Sequence, residues 1–193
     1  MNTRPHILLA EDDRLILFTF ADGLSRVGYR VSTASDGEMA WQMIQGSMPD
    51  LLLLDIRMPV MDGLTLARRI RQISDVPIVF LTAYSDEDQV SESVLIGGYG
   101  YLVKPLEVNQ IIPSVELALA RCKELRALKK AEEQLQTMVS ASRNISMALG
   151  VLKERYRLSE SEAFEVIRVY SRSHRMKMEA VAASIVAGKL NIS

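Results

Sequence analysis

The stretch Leu51-Leu52-Leu53-Leu54-Asp55 decides the fold, because it joins a short apolar run to a carboxylate. Similar runs occur at residues 7–10, 78–81 and 101–103. Short buried runs that alternate with helix-length amphipathic segments are typical of parallel strands in an α/β sheet. The sequence therefore predicts a doubly wound α/β fold in which the run at 51–54 forms the central strand.

Polar side chains stand at or just past the ends of these runs: Asp12, Asp13, Asp55, Thr82 and Lys104. Ligands bind at the carboxyl ends of parallel strands, so these groups should converge on one edge of the sheet. Clustered carboxylates repel one another unless a cation lies among them, and oxygen ligands favour Mg²⁺, which also binds phosphate oxygens. A lysine and a threonine can hold the remaining oxygens. The pattern predicts a site that places a phosphoryl group on an aspartate.

Helical patterns lie between the strands, over residues 14–27, 37–46, 63–74 and 86–96. With a further strand around Val31, this predicts five strands and five helices, the fifth helix beginning near Glu107. Pro113 falls within the first turns of that helix. A proline there removes a hydrogen bond and clashes with the preceding turn, so we expect a kink or a delayed start.

These features resemble the receiver domain of response regulators over roughly the first two-thirds of the chain. The resembling segments are Glu11-Asp12-Asp13, Leu54-Asp55-Ile56-Arg57-Met58-Pro59-Val60-Met61-Asp62-Gly63, Leu81-Thr82-Ala83 and Lys104-Pro105. Each alone is a weak signal, but their joint occurrence in this order is very specific. The resemblance implies a flavodoxin-like five-stranded sheet and a sensor histidine kinase as partner.

The resemblance also implies how the acidic residues act. Asp55 would be the phosphoacceptor. Mg²⁺ would be held by Asp12, Asp13, Asp55 and the main-chain carbonyl of Arg57, one aspartate acting through water. An aspartate after a strand commonly caps the next helix, and Asp13 suits both roles. We expect Glu11 to supply supporting charge and not a metal ligand.

The same resemblance assigns the residues that respond to the phosphoryl group. Thr82 and Lys104 would contact it, and Tyr101, three residues before Lys104, would be the switch aromatic. Taken singly, Thr82 is an ordinary strand residue, Tyr101 is half-buried packing and a Lys-Pro pair ends a strand. Their functional interpretation depends on the whole set occurring together.

A long helical segment follows the receiver, rich in strong helix formers and without Gly or Pro from about Ser114 to Gly150. A heptad frame fits from residue 128 onward. Its a positions are Leu128, Leu135, Ser142 and Leu149, and its d positions are Ala131, Met138, Ile145 and Leu152. Six of these eight are large and apolar, which predicts a parallel coiled-coil homodimer. The alternative is a solitary amphipathic helix packed on its own domain.

The chain therefore divides into a receiver domain (1–122), a coiled-coil linker helix (123–139) and a three-helix module (140–193). In the module, Ser159 and Glu162 have the spacing of a capping box. Two apolar stripes at helical spacing follow, namely Ala163, Phe164, Ile167 and Tyr170, then Val181, Ala182, Ile185 and Val186. We expect so small a core to rely on the coiled coil.

The tail resembles the ANTAR module, the RNA-binding output domain of transcription antitermination regulators, over roughly residues 135–188. The resembling segments are 148–152, 158–164, Ile167-Arg168 and Val181-Ala182. Two positions depart from the family pattern. Leu149 stands where a lysine is usual, and Ser171 stands where a small alanine is usual.

Basic residues cluster in this tail, since residues 140–193 carry 9 Lys and Arg against 5 Asp and Glu in a chain of net charge −1. Arg168, Arg172 and Arg175 are spaced four and three apart, which predicts that they line one helix face. Together with Lys177 they form a basic row suited to RNA phosphates.

Two other output classes stay open. A DNA-binding regulator would place a recognition helix after a short turn, but the last predicted helix is mostly Ala, Val and Ile, with few groups that reach base edges. A protein-interaction adaptor would dock a partner through the coiled coil and tail. We expect no output enzyme, because no nucleophile–base pair or metal-ligand cluster is found outside the receiver.

The composition agrees with a folded, non-secreted protein. Hydrophobic residues make up 48% of the chain, and the single cysteine, Cys122, excludes an intramolecular disulfide. No apolar run approaches membrane-spanning length, and no signal-peptide core precedes Glu11. We expect a cytoplasmic location.

The predicted function is a two-component response regulator, phosphorylated on Asp55, that acts as an RNA-binding transcription antiterminator. Phosphorylation would draw Thr82 towards Asp55 and turn Tyr101 inward, and dimerisation would shift. Paired tails would then bind a structured leader RNA and prevent a terminator.

Overall fold

The computed structural model describes residues 4–83 and 96–190. Five strands form one parallel sheet in the order β2-β1-β3-β4-β5. The strands are β1 (His6–Ala10), β2 (Arg30–Ala34), β3 (Leu51–Asp55), β4 (Ile78–Ala83) and β5 (Gly100–Lys104). The predicted doubly wound five-stranded parallel sheet is confirmed, and the strand that ends in Asp55 is its central one.

Six helices lie in the described part of the chain: α1 (Arg14–Val27), α2 (Gly37–Gly46), α3 (Gly63–Arg71), α4 (Val108–Tyr156), α5 (Glu160–Ser173) and α6 (Met178–Val186). The first two have the predicted bounds. Helix α3 ends at Arg71 and not at residue 74, because its last turn tightens: the N–H groups of Gln72 and Ile73 donate to the carbonyls of Arg69 and Ile70, three residues back. The predicted helix at 86–96 lies, apart from Ile96, outside the described residues.

Both faces of the sheet are covered, because successive strand side chains point to opposite sides. Leu8, Leu52 and Leu54 pack with residues of α2 and α3 in one core cluster. Leu9 and Leu53 belong to a second cluster with residues of α1 and the start of α4. This two-sided burial explains why the three inner strands, β1, β3 and β4, are continuous apolar runs and not alternating ones.

Helix α4 is longer than predicted. It begins at Val108 and continues through Pro113 for 49 residues, so the delayed start is wrong. One uninterrupted helix thus covers the predicted fifth receiver helix, the linker and the first helix of the module. The boundaries at 122 and 139 therefore fall inside a single element. By its internal packing the chain divides into two compact units, residues 1–126 and 127–193, and the predicted three-part division stays a prediction.

The heptad seam changes its environment along α4. Leu128, Leu135 and Met138 are 60%, 62% and 68% exposed. Leu152 is buried, and Ile145 and Leu149 pack against the core of the second unit. A seam over four heptads is therefore wrong at its C-terminal end, because three of its eight positions are covered by the chain's own α5 and α6. The pairing of the exposed part stays a prediction.

The module has the predicted three helices around a small core formed by Ala148, Leu152, Ala163, Ile167, Val181, Ala182 and Ile185. The capping box is present, with Ser159 and Glu162 bonded reciprocally. Phe164 departs from the predicted stripe, since it is 41% exposed. It directly follows buried Ala163, about 100° further around the helix, which turns its ring away from the core. No helix in the described residues is long and apolar enough to span a membrane.

Candidate functional site

The predicted site residues lie where the strands of the first unit end. Asp55 is the last residue of β3, Lys104 is the last of β5 and Thr82 is the last but one of β4. Glu11 and Asp12 directly follow β1. Because all these strands are parallel and neighbouring, their carboxyl ends share one edge, and side chains far apart in sequence meet there.

Lys104 binds two acids at once. Its Nζ donates to Oε2 of Glu11 at 2.6 Å and to Oδ2 of Asp55 at 2.9 Å. The side chains of Glu11 and Asp55 are 1% and 8% exposed, and that of Lys104 is 20% exposed. Charge-assisted hydrogen bonds are strong in such a poorly solvated place. The ammonium therefore ties together the ends of β1, β3 and β5.

Burial dominates the acid–base behaviour of these groups. It raises the pKa of Glu11 to about 7; the hydrogen bond from Lys104 opposes this effect and the charge of Asp55 adds to it. Burial also raises the pKa of Asp55, again against the hydrogen bond from Lys104. Burial alone would lower the pKa of Lys104, but its hydrogen bonds to Glu11 and Asp55 outweigh that, and its pKa is raised. The carboxylates of Glu11 and Asp55 thus share a single ammonium, that of Lys104.

Three carboxylates could hold a metal ion together. Oxygen atoms of Glu11, Asp12 and Asp55 all lie within 4.8 Å of one another. Asp13 has a different environment, since its Oδ1 caps α1 by accepting from the N–H groups of Leu15 and Ile16. The cap is as predicted, but the structure groups Glu11 with Asp12 and Asp55 where we expected Asp13. This all-oxygen set fits Mg²⁺, which receiver domains typically bind at such an acidic pocket.

The turn after β3 holds Asp55 in place. The main-chain N–H of Arg57 donates to its carboxylate, and the N–H of Gly63 donates to the carbonyl of Ile56 at 2.9 Å. A Cβ on Gly63 would lie 2.2 Å from the carbonyl oxygen of Asp55. The start of α3 therefore approaches β3 so closely that only glycine fits. Sequence reasoning missed this role, although Gly63 stood in the quoted motif.

Thr82 and Tyr101 differ in how near they come to this cluster. Thr82 is buried, and its hydroxyl donates to the carbonyl of Ala83 at 3.2 Å. Tyr101 lies on β5 with 48% of its surface exposed and is not brought into the acidic group. The roles assigned to both residues stay predictions.

The basic residues of the second unit do not form one helical row. Helix α5 ends at Ser173, and Arg175 has a φ of +52°, so it belongs to the turn that leads to Lys177 at the start of α6. Arg168 lies within α5 and is paired with Glu165 at 2.7 Å. The prediction of one face for Arg168, Arg172 and Arg175 is wrong, because a left-handed residue breaks the helical spacing. We call residues 172–177 the basic turn.

Two segments match known domain families. Residues 7–116 match the response regulator receiver domain, and residues 133–186 match the ANTAR domain. The chain is also 34% identical to the transcriptional regulatory protein PdtaR of Mycobacterium tuberculosis over 181 residues, which cover 93% of this chain and 88% of the relative. The chain belongs to the response regulators. With an ANTAR domain as output, it is a two-component regulator that acts as an RNA-binding antiterminator.

Solved structures share the receiver fold. The chemotaxis response regulator CheY4 of Vibrio cholerae is 29% identical with a TM-score of 0.56, and the match covers 59% of this chain and 98% of that one. NtrX of Brucella abortus is 27% identical with a TM-score of 0.63, and the match covers 67% of this chain and 30% of NtrX. A receiver domain implies a kinase that donates the phosphoryl group.

The two departures from the ANTAR pattern have structural explanations. Leu149 packs against the core of the module, so an apolar side chain gains burial at a position where lysine is usual. Ser171 is buried, and its hydroxyl donates to the carbonyl of Met176. That bond satisfies the hydroxyl and ties the end of α5 to the basic turn, so neither residue disturbs the helical module.

Proposed function

We propose that the regulator is phosphorylated on Asp55 by a sensor histidine kinase and that this modification controls RNA binding by its ANTAR domain. The observation that carries the proposal is the position of Lys104, which donates to both Glu11 and Asp55 beside Asp12. Three acids around one ammonium leave a surplus of negative charge, which favours a bound cation and then an incoming phosphoryl group.

In the transfer, an oxygen of Asp55 forms a bond to phosphorus while the bond from phosphorus to the donor nitrogen breaks. Asp12, Asp55 and the carbonyl of Arg57 would hold Mg²⁺, with Asp13 acting through water, and the ion would supply positive charge to offset that on the phosphoryl oxygens. The chain supplies position and charge: the N–H of Arg57 orients the carboxylate. The ammonium of Lys104 exchanges its bond with Asp55 for one with a phosphoryl oxygen.

Thr82 on β4 and Tyr101 on β5 respond to the phosphorylation of Asp55. The hydroxyl of Thr82 leaves the carbonyl of Ala83 and donates to the phosphoryl group, and Tyr101 turns from the surface into the space that Thr82 vacates. The face around β5 and the first turns of α4 then changes. This favours a homodimer paired through the exposed part of α4, whose two ANTAR domains bind a structured leader RNA and prevent a terminator.

The phosphoacceptor is tested by incubation with acetyl phosphate and Mg²⁺. The unsubstituted protein should form one acyl phosphate, and Asp55→Asn should form none. Asp62→Asn is the matched control: Asp62 lies in the same loop and caps α3, a role that asparagine also fills. Equal labelling of the unsubstituted protein and Asp55→Asn would contradict the assignment. Lys104→Ala should still be phosphorylated slowly but should no longer increase RNA binding.

A further inference from the structure

A groove in the second unit lies beside the basic turn. It has a volume of about 680 Å³ and is bounded on one side by α4, through residues such as Gln136, Ser140 and Asn144. On the other side it is bounded by Lys177 and Glu179 at the start of α6. Sites for small organic groups have volumes of roughly 300–1,000 Å³, so the groove can admit one nucleotide.

The groove presents hydrogen-bonding groups that the protein itself does not use. Among residues 4–83 and 96–190, the side-chain amides of Gln136 and Asn144 bond to no other protein group. Asn144 is nevertheless half-buried. Both amides face the open groove and are therefore available to bond to a ligand placed there. Each amide offers a donor and an acceptor side by side, which is the arrangement that pairs with the edge of a base.

The charges in the groove favour a base over a phosphate. Glu133 and Glu179 supply two carboxylates, whereas Lys177 supplies one ammonium. A phosphate would be repelled by this balance, but a carboxylate accepts readily from the amino group of a base. Lys177 also ends the basic turn, where Arg172 and Arg175 are exposed. A backbone held on the basic turn would therefore be continuous with a base in the groove.

We infer that this groove takes one unstacked base from the loop of an RNA hairpin, read by Gln136 and Asn144, while the basic turn holds neighbouring phosphates. The inference rests on the proposed RNA binding and names where sequence is read. Asn144 is nine residues from Leu135, which at 100° per residue places it half a turn away. A dimer paired through Leu128 and Leu135 therefore leaves the Asn144 side of each groove accessible, while the seam residue Met138 borders the opposite rim.

The test uses the full-length protein, phosphorylated with acetyl phosphate, and a pool of RNA hairpins with a constant stem and a randomised loop. The enriched loop is then compared with a scrambled loop of equal length. Gln136→Ala and Asn144→Ala should each lower the preference for the enriched loop roughly tenfold while leaving the salt dependence unchanged. Gln134→Ala is the matched control, with the same side chain two residues away outside the groove, and should keep the full preference.

A second measurement needs no substitution in the protein. A hairpin with 4-thiouridine in the enriched loop should crosslink to the peptide that contains residues 136–144. Unchanged loop preference in both groove variants, or crosslinks confined to the basic turn, would overturn the inference. So would variants that alter sedimentation but not loop preference, since the groove would then hold a second copy. Each of these three results would leave the proposed function standing, because the protein would still select hairpins from the pool. If the protein selected no hairpin at all, the proposed function would be overturned as well.

Discussion

At the scale of single residues, Glu11 is the least expected member of the acidic group at the sheet edge. It lies against Lys104 and is almost completely buried. Its pKa is raised to about 7 from an ordinary 4.5, chiefly by burial. The folded protein therefore keeps a proton that the unfolded chain releases over this range. That proton stabilises the fold fully below pH 4.5, and the stabilisation is lost as the pH rises through 7.

We expect the free energy of unfolding of the metal-free protein to carry this dependence. As the pH rises from 4.5 to 7, the contribution of Glu11 should fall by on the order of 1–3 kcal/mol. Glu11→Gln should flatten the slope in this window, whereas Glu38→Gln, which removes a surface acid near Arg69, should not. Urea denaturation at several pH values, with chelator present, measures both. Parallel curves for Glu11→Gln and the unsubstituted protein would contradict the expectation.

A second residue-scale prediction concerns Gly63. An added methyl group would meet the carbonyl oxygen of Asp55 at 2.2 Å, so the backbone of α3 or β3 must move. Gly63→Ala should destabilise the protein by about 1–3 kcal/mol, the usual cost of overpacking, and should slow phosphorylation of Asp55. Gly46→Ala is the control, because its methyl group would meet nothing within 4 Å. Thermal unfolding and acetyl phosphate labelling give the two readouts, and a neutral Gly63→Ala would argue against this close contact.

At the scale of elements, the end of α5 decides how the basic residues are arranged. Ser171 bonds to the carbonyl of Met176, and Arg175 adopts a left-handed conformation. The turn therefore separates Arg175 and Lys177 from the helix that carries Arg168. Arg168 is already paired with Glu165, so its contribution to RNA phosphates should be smaller than that of Arg172 or Arg175.

We expect the basic turn to supply most of the electrostatic part of RNA binding. Arg172→Ala combined with Arg175→Ala should weaken hairpin binding and lower the slope of log affinity against log salt by roughly 0.7–0.9 per lost phosphate contact. Arg26→Ala, which removes an exposed arginine on α1 of the receiver, is the control. Filter binding over a salt series measures the slope. The same slope in the double variant and the unsubstituted protein would remove the turn from the interface, and a preference for duplex DNA would favour the DNA-binding class.

At the scale of the whole molecule, helix α4 contributes different residues to the cores of the two units. The first turns of α4 pack in the receiver core through Ile111 and Val115, and its last turns pack in the module core through Ala148 and Leu152. Between them the apolar side chains at 128, 135 and 138 are exposed. The predicted seam therefore divides into an exposed part, where pairing stays a prediction, and a part that packs in the module core.

This split predicts opposite outcomes for two similar substitutions. Leu135→Asp should lower dimerisation and leave the module folded, because a charge in a pairing seam is desolvated without a partner. Leu152→Asp should unfold the module, because Leu152 is 2% exposed in its core. Ser140→Asp, at the outward f position of the heptad, is the control for added charge. Sedimentation and circular dichroism report the two effects; a monomer at every concentration, with or without phosphorylation, would contradict the predicted pairing.

Short sequence patterns were sufficient to predict an element wherever the pattern is compatible with only one local structure. Apolar runs of four residues between amphipathic segments can be buried only as a parallel sheet with helices on both faces, so the strands and the helices at 14–27 and 37–46 were predictable. The carboxyl-end position of Asp55 and Lys104 followed from the same pattern. The capping box at Ser159 was equally readable, because its two hydrogen bonds connect residues three apart.

The sequence by itself determined the parallel sheet, the edge on which the acids meet, and the two domains in their order. Only the tertiary structure decided that Glu11 joins Asp12 and Asp55 in the acidic group, and that Gly63 lies against the carbonyl of Asp55. It also decided which half of the heptad stripe stays free for a partner. The reason is common to these cases: periodicity states which face of an element is apolar or charged, but what covers that face depends on contacts between residues far apart in the chain.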